Sequence, residues 1–377
     1  MSSRLNSREQ REFAAYVEAL LAGGGSDEVF ASIGALDVPP PFRVRVKVLY
    51  SSHTPVQTLE SALSNGDLSR LSEVARAFAY ELPKHGHSSG KSRVRRVPFF
   101  IASLGDSEIS SHVQAMISIC TSDHWRALRS FVKDLYPRLV PILLSQSELI
   151  RCTKLLVGLS QDEVRVTSFS GKERLRNTPG KGRKSVREWT DEILDQALLS
   201  IQNRGQIISV LDVEFYPTVN GLPHVRPRAS CKIRKDGEVE VVGGFEVVFR
   251  SVVRQIAAAG DRKLGFLRGR GLREAQYKPN PLAITFARRV FEDVTAIRSL
   301  VQVLAKYPRS MYAIAHGNPY AHVVLTDLCD GSSFDVWALP PDKVSIVPGL
   351  KASEAAFERI VDYIFRSFRE GELVNYE

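Results

Sequence analysis

At 377 residues, 44% hydrophobic and 25% charged, the chain has the length of two domains and an ordinary globular composition. Collagen-like, coiled-coil and wholly disordered chains are thereby excluded. Fifty-one Lys and Arg outnumber forty-two Asp and Glu, and the net charge of +9 favours an anionic partner.

Four cysteines, Cys120, Cys152, Cys231 and Cys329, stand singly with no CxxC pair. They are too sparse for a disulfide framework and read as small buried side chains of a reducing, cytoplasmic compartment. The polar N-terminus carries both charge signs, unlike a signal peptide. The most apolar runs, 139–144 and 294–304, are too short or too polar to cross a bilayer, so no membrane partner is expected.

In chain order, residues 8–21 predict a helix stopped by Gly23, Gly24 and Gly25. Residues 42–50 alternate, with Phe42, Val44, Val46 and Val48 on one face and Arg43, Arg45 and Lys47 on the other. That pattern predicts a half-buried strand with a basic outer face. A leucine-rich stripe over 56–82 reads as helix. Ile109, Val113, Met116, Ile117 and Cys120 read as a second helical stripe, and 123–135 and 145–157 as two further helices. A short strand follows at 164–169. The segment 171–185 holds three glycines and hardly any apolar residue, which predicts an exposed basic linker or loop. Beyond it come a helix over 185–202 with Trp189 and Ile193 inward, and strands at 207–216, 229–234, 238–242 and 245–249.

One register follows from pairing energetics. A three-residue loop, Lys235-Asp236-Gly237, sets Arg234 opposite Glu238, Ile233 opposite Val239 and Lys232 opposite Glu240. Opposite charges then meet on one face and apolar side chains on the other, with Gly237 left-handed. The last hundred residues read as a helix over 284–307, four short strands and a final helix capped by Ser353. The expected class is α+β: a largely helical N-terminal half, and antiparallel sheet with flanking helices in the C-terminal half. The expected domains are 1–170, mostly helical with a few strands, and 186–377, α+β with antiparallel sheet.

The positive charge is concentrated. Windows 84–98, 171–188, 226–235 and 262–278 each carry +5, leaving the remainder of the chain acidic. Glycine lets backbone N–H groups approach an anion while Arg and Lys supply charge, so such loops suit phosphate. The candidate contacts are Arg93, Arg95, Arg96, Lys181, Arg183, Lys184, Arg268, Arg270 and Arg273, with Phe266 placed to stack on bases. The expectation is a non-catalytic nucleic-acid-binding protein, for DNA or RNA, that contacts the phosphate backbone through several basic Gly-rich loops. The order helix, helix, strand, basic tip over 123–176 also fits a winged helix, although the stretch between its two helices is long.

Two other classes compete. Asp212 and Glu214 share one face of a strand and, with Glu246 or Glu240, can hold Mg²⁺ for phosphodiester cleavage. Lys232 and Arg234 on the neighbouring strand neutralise them equally well. His316 and His322 can bridge a metal, yet Gly317-Asn318-Pro319 between them is a turn signature. No P-loop, GxGxxG, GxSxG or HExxH is present, and no cofactor is expected outside the nuclease alternative. The third class is an interaction subunit of a larger cytoplasmic assembly, as a homo-oligomer or with a protein partner.

Overall fold

The computed structural model describes residues 5–82, 96–104, 109–159, 163–173, 185–204, 206–219, 222–223, 227–268, 281–317, 320–349 and 352–375. They form two compact units. The larger takes in the described residues within Met1–Ile142, Glu148–Arg176 and Gly182–Ala258, the smaller those within Leu143–Ser147 and Ala259–Glu377.

The larger unit begins with α1 (Ser7–Ala22) and α2 (Ser26–Ala35), then β1 (Arg43–Tyr50) and α3 (Pro55–Ala62). Asn6 starts α1 by accepting from the N–H groups of Arg8 and Glu9, and Glu9 reaches back to the Asn6 N–H at 2.7 Å. Next come β2 (Leu68–Ser72), β3 (Ala77–Glu81), β4 (Arg96–Ala102), β5 (Val113–Cys120), α4 (Ser122–Asp134), β6 (Val140–Pro141) and α5 (Gln146–Leu159). The unit is completed by β7 (Glu163–Glu173), β8 (Ser185–Ile193), α6 (Leu194–Asn203), β9 (Gln206–Tyr216), a two-residue ladder of β10 (Thr218–Val219) and β11 (Leu222–Pro223), β12 (Ala229–Arg234), β13 (Glu238–Val242) and α7 (Phe245–Val248). The chain then enters α8 (Arg254–Arg268).

One sheet organises this unit, in the order β2-β3-β4-β5-β1-β13-β12-β9-β7-β8, with β6 against the end of β1. Its pairings are all antiparallel. The anticipated β12–β13 hairpin is present in the derived register, Lys232 opposite Glu240 and Ile233 opposite Val239. Gly237 has φ +70°, and a Cβ there would meet the Ile142 carbonyl oxygen at 2.5 Å.

The smaller unit contains β14 (Leu282–Thr285), α9 (Val294–Leu304), β15 (Ser310–His316), β16 (Ala321–Asp327), β17 (Ser333–Leu339), β18 (Lys343–Pro348), α10 (Glu354–Ser367) and β19 (Glu372–Asn375). Its antiparallel sheet runs β15-β16-β17-β18-β14-β19. Alternate residues of β16 and β17 (Val323, Leu325, Phe334, Val336) pack with Ile297 and Leu300 of α9 and with Phe357, Ile360 and Ile364 of α10. The fold is therefore mixed α+β with two principal antiparallel sheets, as the residue pattern implied.

Several elements differ from expectation. Only the start of 56–82 is helical; Gly66, at φ +78°, ends the following turn and the chain continues into β2 and β3. The stripe at 113–120 is β5, buried along its whole length. Residues 185–193 are strand β8 rather than helix, and Trp189 and Ile193 are exposed rather than inward. Residues 245–248 are helix α7, not strand. The basic face of β1 is not an outer face: Arg45 is 3% and Lys47 4% exposed. Segment 171–185 connects the paired strands β7 and β8. A winged helix is likewise overturned, because β7 lies inside the long sheet between β9 and β8 and β6 intervenes between α4 and α5.

Candidate nucleic-acid interface

Two of the basic windows fall at equivalent places in the sheet. Strands β3 and β4 pair antiparallel down to Glu81 opposite Arg96, so 82–95 connects the two strands of a hairpin. Strands β7 and β8 pair down to Lys172 opposite Ser185, so 174–184 connects another. Residues 83–95 contain Lys84, Lys91, Arg93 and Arg95, and 174–184 contain Arg174, Arg176, Lys181, Arg183 and Lys184; neither stretch has an acid. Those nine cations equal the net charge of the entire chain. Six antiparallel steps separate β4 from β7, so the two strands run in the same sense. One connection precedes β4 and the other follows β7, so the strand ends that flank them lie at opposite ends of the ladder.

Arg93, Arg95, Lys181, Arg183, Lys184, Arg270 and Arg273 lie outside the described residues, and Arg268 is the last residue of α8. Arg96 is described. It opens β4 with its side chain half exposed, Nε 2.6 Å from Glu81 and a guanidinium nitrogen 3.7 Å from Glu18. Arg96 therefore anchors the base of its hairpin.

Within the sheet the charges are spent on one another. Register places Ser118, Arg45, Glu240, Lys232, Asp212 and Ser168 in one row across six strands. Arg45 donates to Glu240 at 2.5 Å and to the Ser122 hydroxyl at 2.9 Å. Lys232 lies 3.1 Å from Asp212, whose other oxygen accepts from the Ser168 hydroxyl. In the next row Glu238 takes Arg129 and Arg234, each at 3.0 Å, and Lys47 lies 2.6 Å from Asp236. Alternating signs at neighbouring positions are what antiparallel pairing favours. A pocket of about 470 Å³, lined by Pro40, Pro41, Arg43, Arg45, Ser122 and Glu240, opens beside this row.

Asp212 and Glu214 do share a face of β9, but each carboxylate already has partners. Glu214 accepts from the Tyr216 hydroxyl at 2.7 Å, and that bond, with burial, pushes the phenol up to about 12. Glu246 sits on α7, not on a strand, and pairs with Arg250 at 2.5 Å. His316 and His322 are opposite each other on β15 and β16. His322 Nε2 is 2.7 Å from Asp335, and its ring stacks on Trp337 at 3.8 Å between centroids. His316 packs on Tyr320 instead, at 4.6 Å. Among the described residues no three His, Cys, Asp or Glu side chains are grouped to hold a metal ion.

The residue reading missed the aromatic content of the β7–β8–β9 face. Trp189 is 73% exposed, with the Arg187 guanidinium 4.9 Å from its ring centroid. Arg165 lies 5.3 Å from the Tyr216 ring centroid. The signal was the alternation of Arg187, Trp189 and Asp191 with Glu188, Thr190 and Glu192, which is strand-like where a helical stripe was read. Among the described residues no helix is long and apolar enough to cross a membrane. No protein-family model matches the chain, and no curated protein resembles it at a significant level.

Proposed function

We propose that the protein binds nucleic acid, gripping the phosphate backbone with two basic hairpin connections of its large sheet. The observation that carries this reading is the placement of nine cations and no acid in 83–95 and 174–184, between ordered strand pairs whose own charges are mutually neutralised. Arg93, Arg95, Lys181, Arg183 and Lys184 supply the main contacts, and Arg268, Arg270 and Arg273 a third basic stretch. Each neutralised phosphate releases counterions, so several such contacts give strong salt dependence. The four cysteines form no disulfide and three of them are buried, which suits a cytoplasmic setting.

The test is fluorescence anisotropy with labelled single- and double-stranded DNA and RNA over a salt series, with and without Mg²⁺. The reading expects submicromolar binding with a steep salt slope, weakened and made less salt-dependent on reversing Lys181, Arg183 and Lys184 to Glu. Absence of binding to all four ligands near physiological salt sinks it. A signal that decays only with Mg²⁺ replaces it with nuclease activity.

A second reading, an interaction subunit, is favoured by β15. This edge strand carries no charged residue, and Met311 (61%) and Ile314 (53%) are exposed on opposite faces of it. Edge strands without such protection pair readily, here with the same strand of a second copy. Light scattering on the eluted protein tests it: a dimer that Ile314→Lys dissociates supports this reading, and a monomer at all concentrations removes it.

A further inference from the structure

An indole as exposed as Trp189 is unusual, because tryptophan is among the most thoroughly covered side chains on average. Its surroundings say what it faces. Ser168 pairs with both Trp189 and Asp212, so the three stand in one row across β8, β7 and β9. Ser170, opposite Arg187, and Arg165, opposite Glu214, extend the same face along the strands, and Tyr216 ends it. The acids on this face already have partners: Asp212 has Lys232, Glu214 the Tyr216 hydroxyl, and Glu163 and Asp191 share the Arg165 guanidinium at 2.5 and 3.3 Å. What remains is the exposed Trp189 indole and the half-exposed Tyr216 ring, each with a guanidinium beside it.

We propose that the β7–β8–β9 face is a stacking platform for the bases of single-stranded nucleic acid, with Trp189 and Tyr216 as its rings and Arg187 and Arg165 as their cationic companions. The proposal rests on the nucleic-acid reading above and names its substrate class. A ring beside a guanidinium offers a π-face and a positive charge without reading sequence, which is how unpaired bases are held. A duplex keeps its bases stacked inside and presents only phosphates. Trp189 and Tyr216 lie four residues apart along the strand direction, about 13 Å, which leaves room for more than one nucleotide between the rings.

The experiment uses intrinsic tryptophan fluorescence of the full chain. Trp125 is fully buried and Trp337 is covered by His322, so quenching by a stacked base reports on Trp189. Short oligothymidylate quenches the wild type, whereas a duplex of equal length binds without quenching. Trp189→Ala abolishes the quenching and weakens single-strand binding about tenfold while duplex binding is unchanged, and Trp189→Phe restores most of the affinity. The indole projects into solvent, so the Ala variant keeps its fold, which circular dichroism checks. Unchanged single-strand affinity in Trp189→Ala, or equal quenching by duplex, overturns the platform while salt-dependent binding to both ligands upholds the broader reading. Absence of binding to either ligand overturns both.

Discussion

Lys47 and Asp236 meet at 2.6 Å where β1 passes the β12–β13 turn, with the lysine almost wholly buried. Burial pulls the Lys47 amine below its usual value, and its attraction to Asp236 and Glu238 only partly offsets that. Burial alone would raise the Asp236 carboxyl, but Lys47, Arg129 and Arg234 together hold it below the ordinary carboxylate range. Removing the acid leaves a buried ammonium short of its nearest counter-charge, so Asp236→Ala is expected to cost about 3 kcal/mol. Urea denaturation measures it.

The same pair sets an acid limit. A carboxyl whose folded value is depressed contributes stability above its unfolded value and loses it as pH falls through the folded value. The wild type should therefore lose stability steeply below about pH 4. Asp236→Asn should be less stable at neutral pH and show a shallower loss on the acid side. Parallel curves for the two proteins would show that another carboxyl governs the limit.

Glu354, in the first turn of α10, behaves in the opposite sense. Burial pushes its carboxyl up to about 7, so the folded state holds a proton that the unfolded state has released. Stability from this group is present at low pH and declines as pH rises through about 7. Glu354→Gln should match the wild type near pH 5 and melt higher than it at pH 8, read by thermal denaturation across that range.

Lys263 and Glu358 lie 3.6 Å apart, buried in the smaller unit. The lysine donates to the Leu143 carbonyl, and Glu358 accepts the Leu143 N–H at 3.0 Å. Glu358→Ala removes a buried counter-charge from the lysine and the acceptor of the Leu143 N–H, and should cost about 3 kcal/mol. The double variant Lys263→Met, Glu358→Leu removes both charges and should recover part of that loss. Chemical denaturation of the two variants distinguishes pairing from packing.

The strand ends that flank the two basic connections lie at opposite ends of the ladder, so the connections should act independently. Reversing Lys91, Arg93 and Arg95 to Glu, or Lys181, Arg183 and Lys184 to Glu, should each reduce the salt slope of duplex binding by about 2–3. The combined variant should show the sum in free energy. A first reversal that already abolishes all binding would contradict independence.

What was legible in the residues depended on how each element is buried. The β12–β13 register could be derived because Lys232, Arg234, Glu238 and Glu240 keep one charged face, and any slip would bury a charge among Ile233 and Val239. Strands β15–β18 were legible for a similar reason, since β16 and β17 alternate between core and outer face. Strand β5 was not, because it is covered on both faces; Val113, Met116, Ile117 and Cys120 then fall at helical spacing by coincidence. Nor did the alternation of β1 disclose that its cations are buried, since that depends on Glu240 and Asp236, far along the chain. The basic stretches were visible as composition, whereas their position between paired strands required the sheet.

The pairing of β1 with β13 has a consequence for synthesis. Arg45 and Glu240, which join the two halves of the large sheet, are 195 residues apart. The ribosome releases β1 through β5 long before β13 exists, so the early meander carries an open flank along Val44–Lys47 throughout that interval. Two nascent chains on neighbouring ribosomes can join at that flank, because an unpaired strand accepts any partner of suitable pattern. Yield in the cell should therefore depend on translation speed through residues 121–242 and on chaperones that shield the first half until the second arrives.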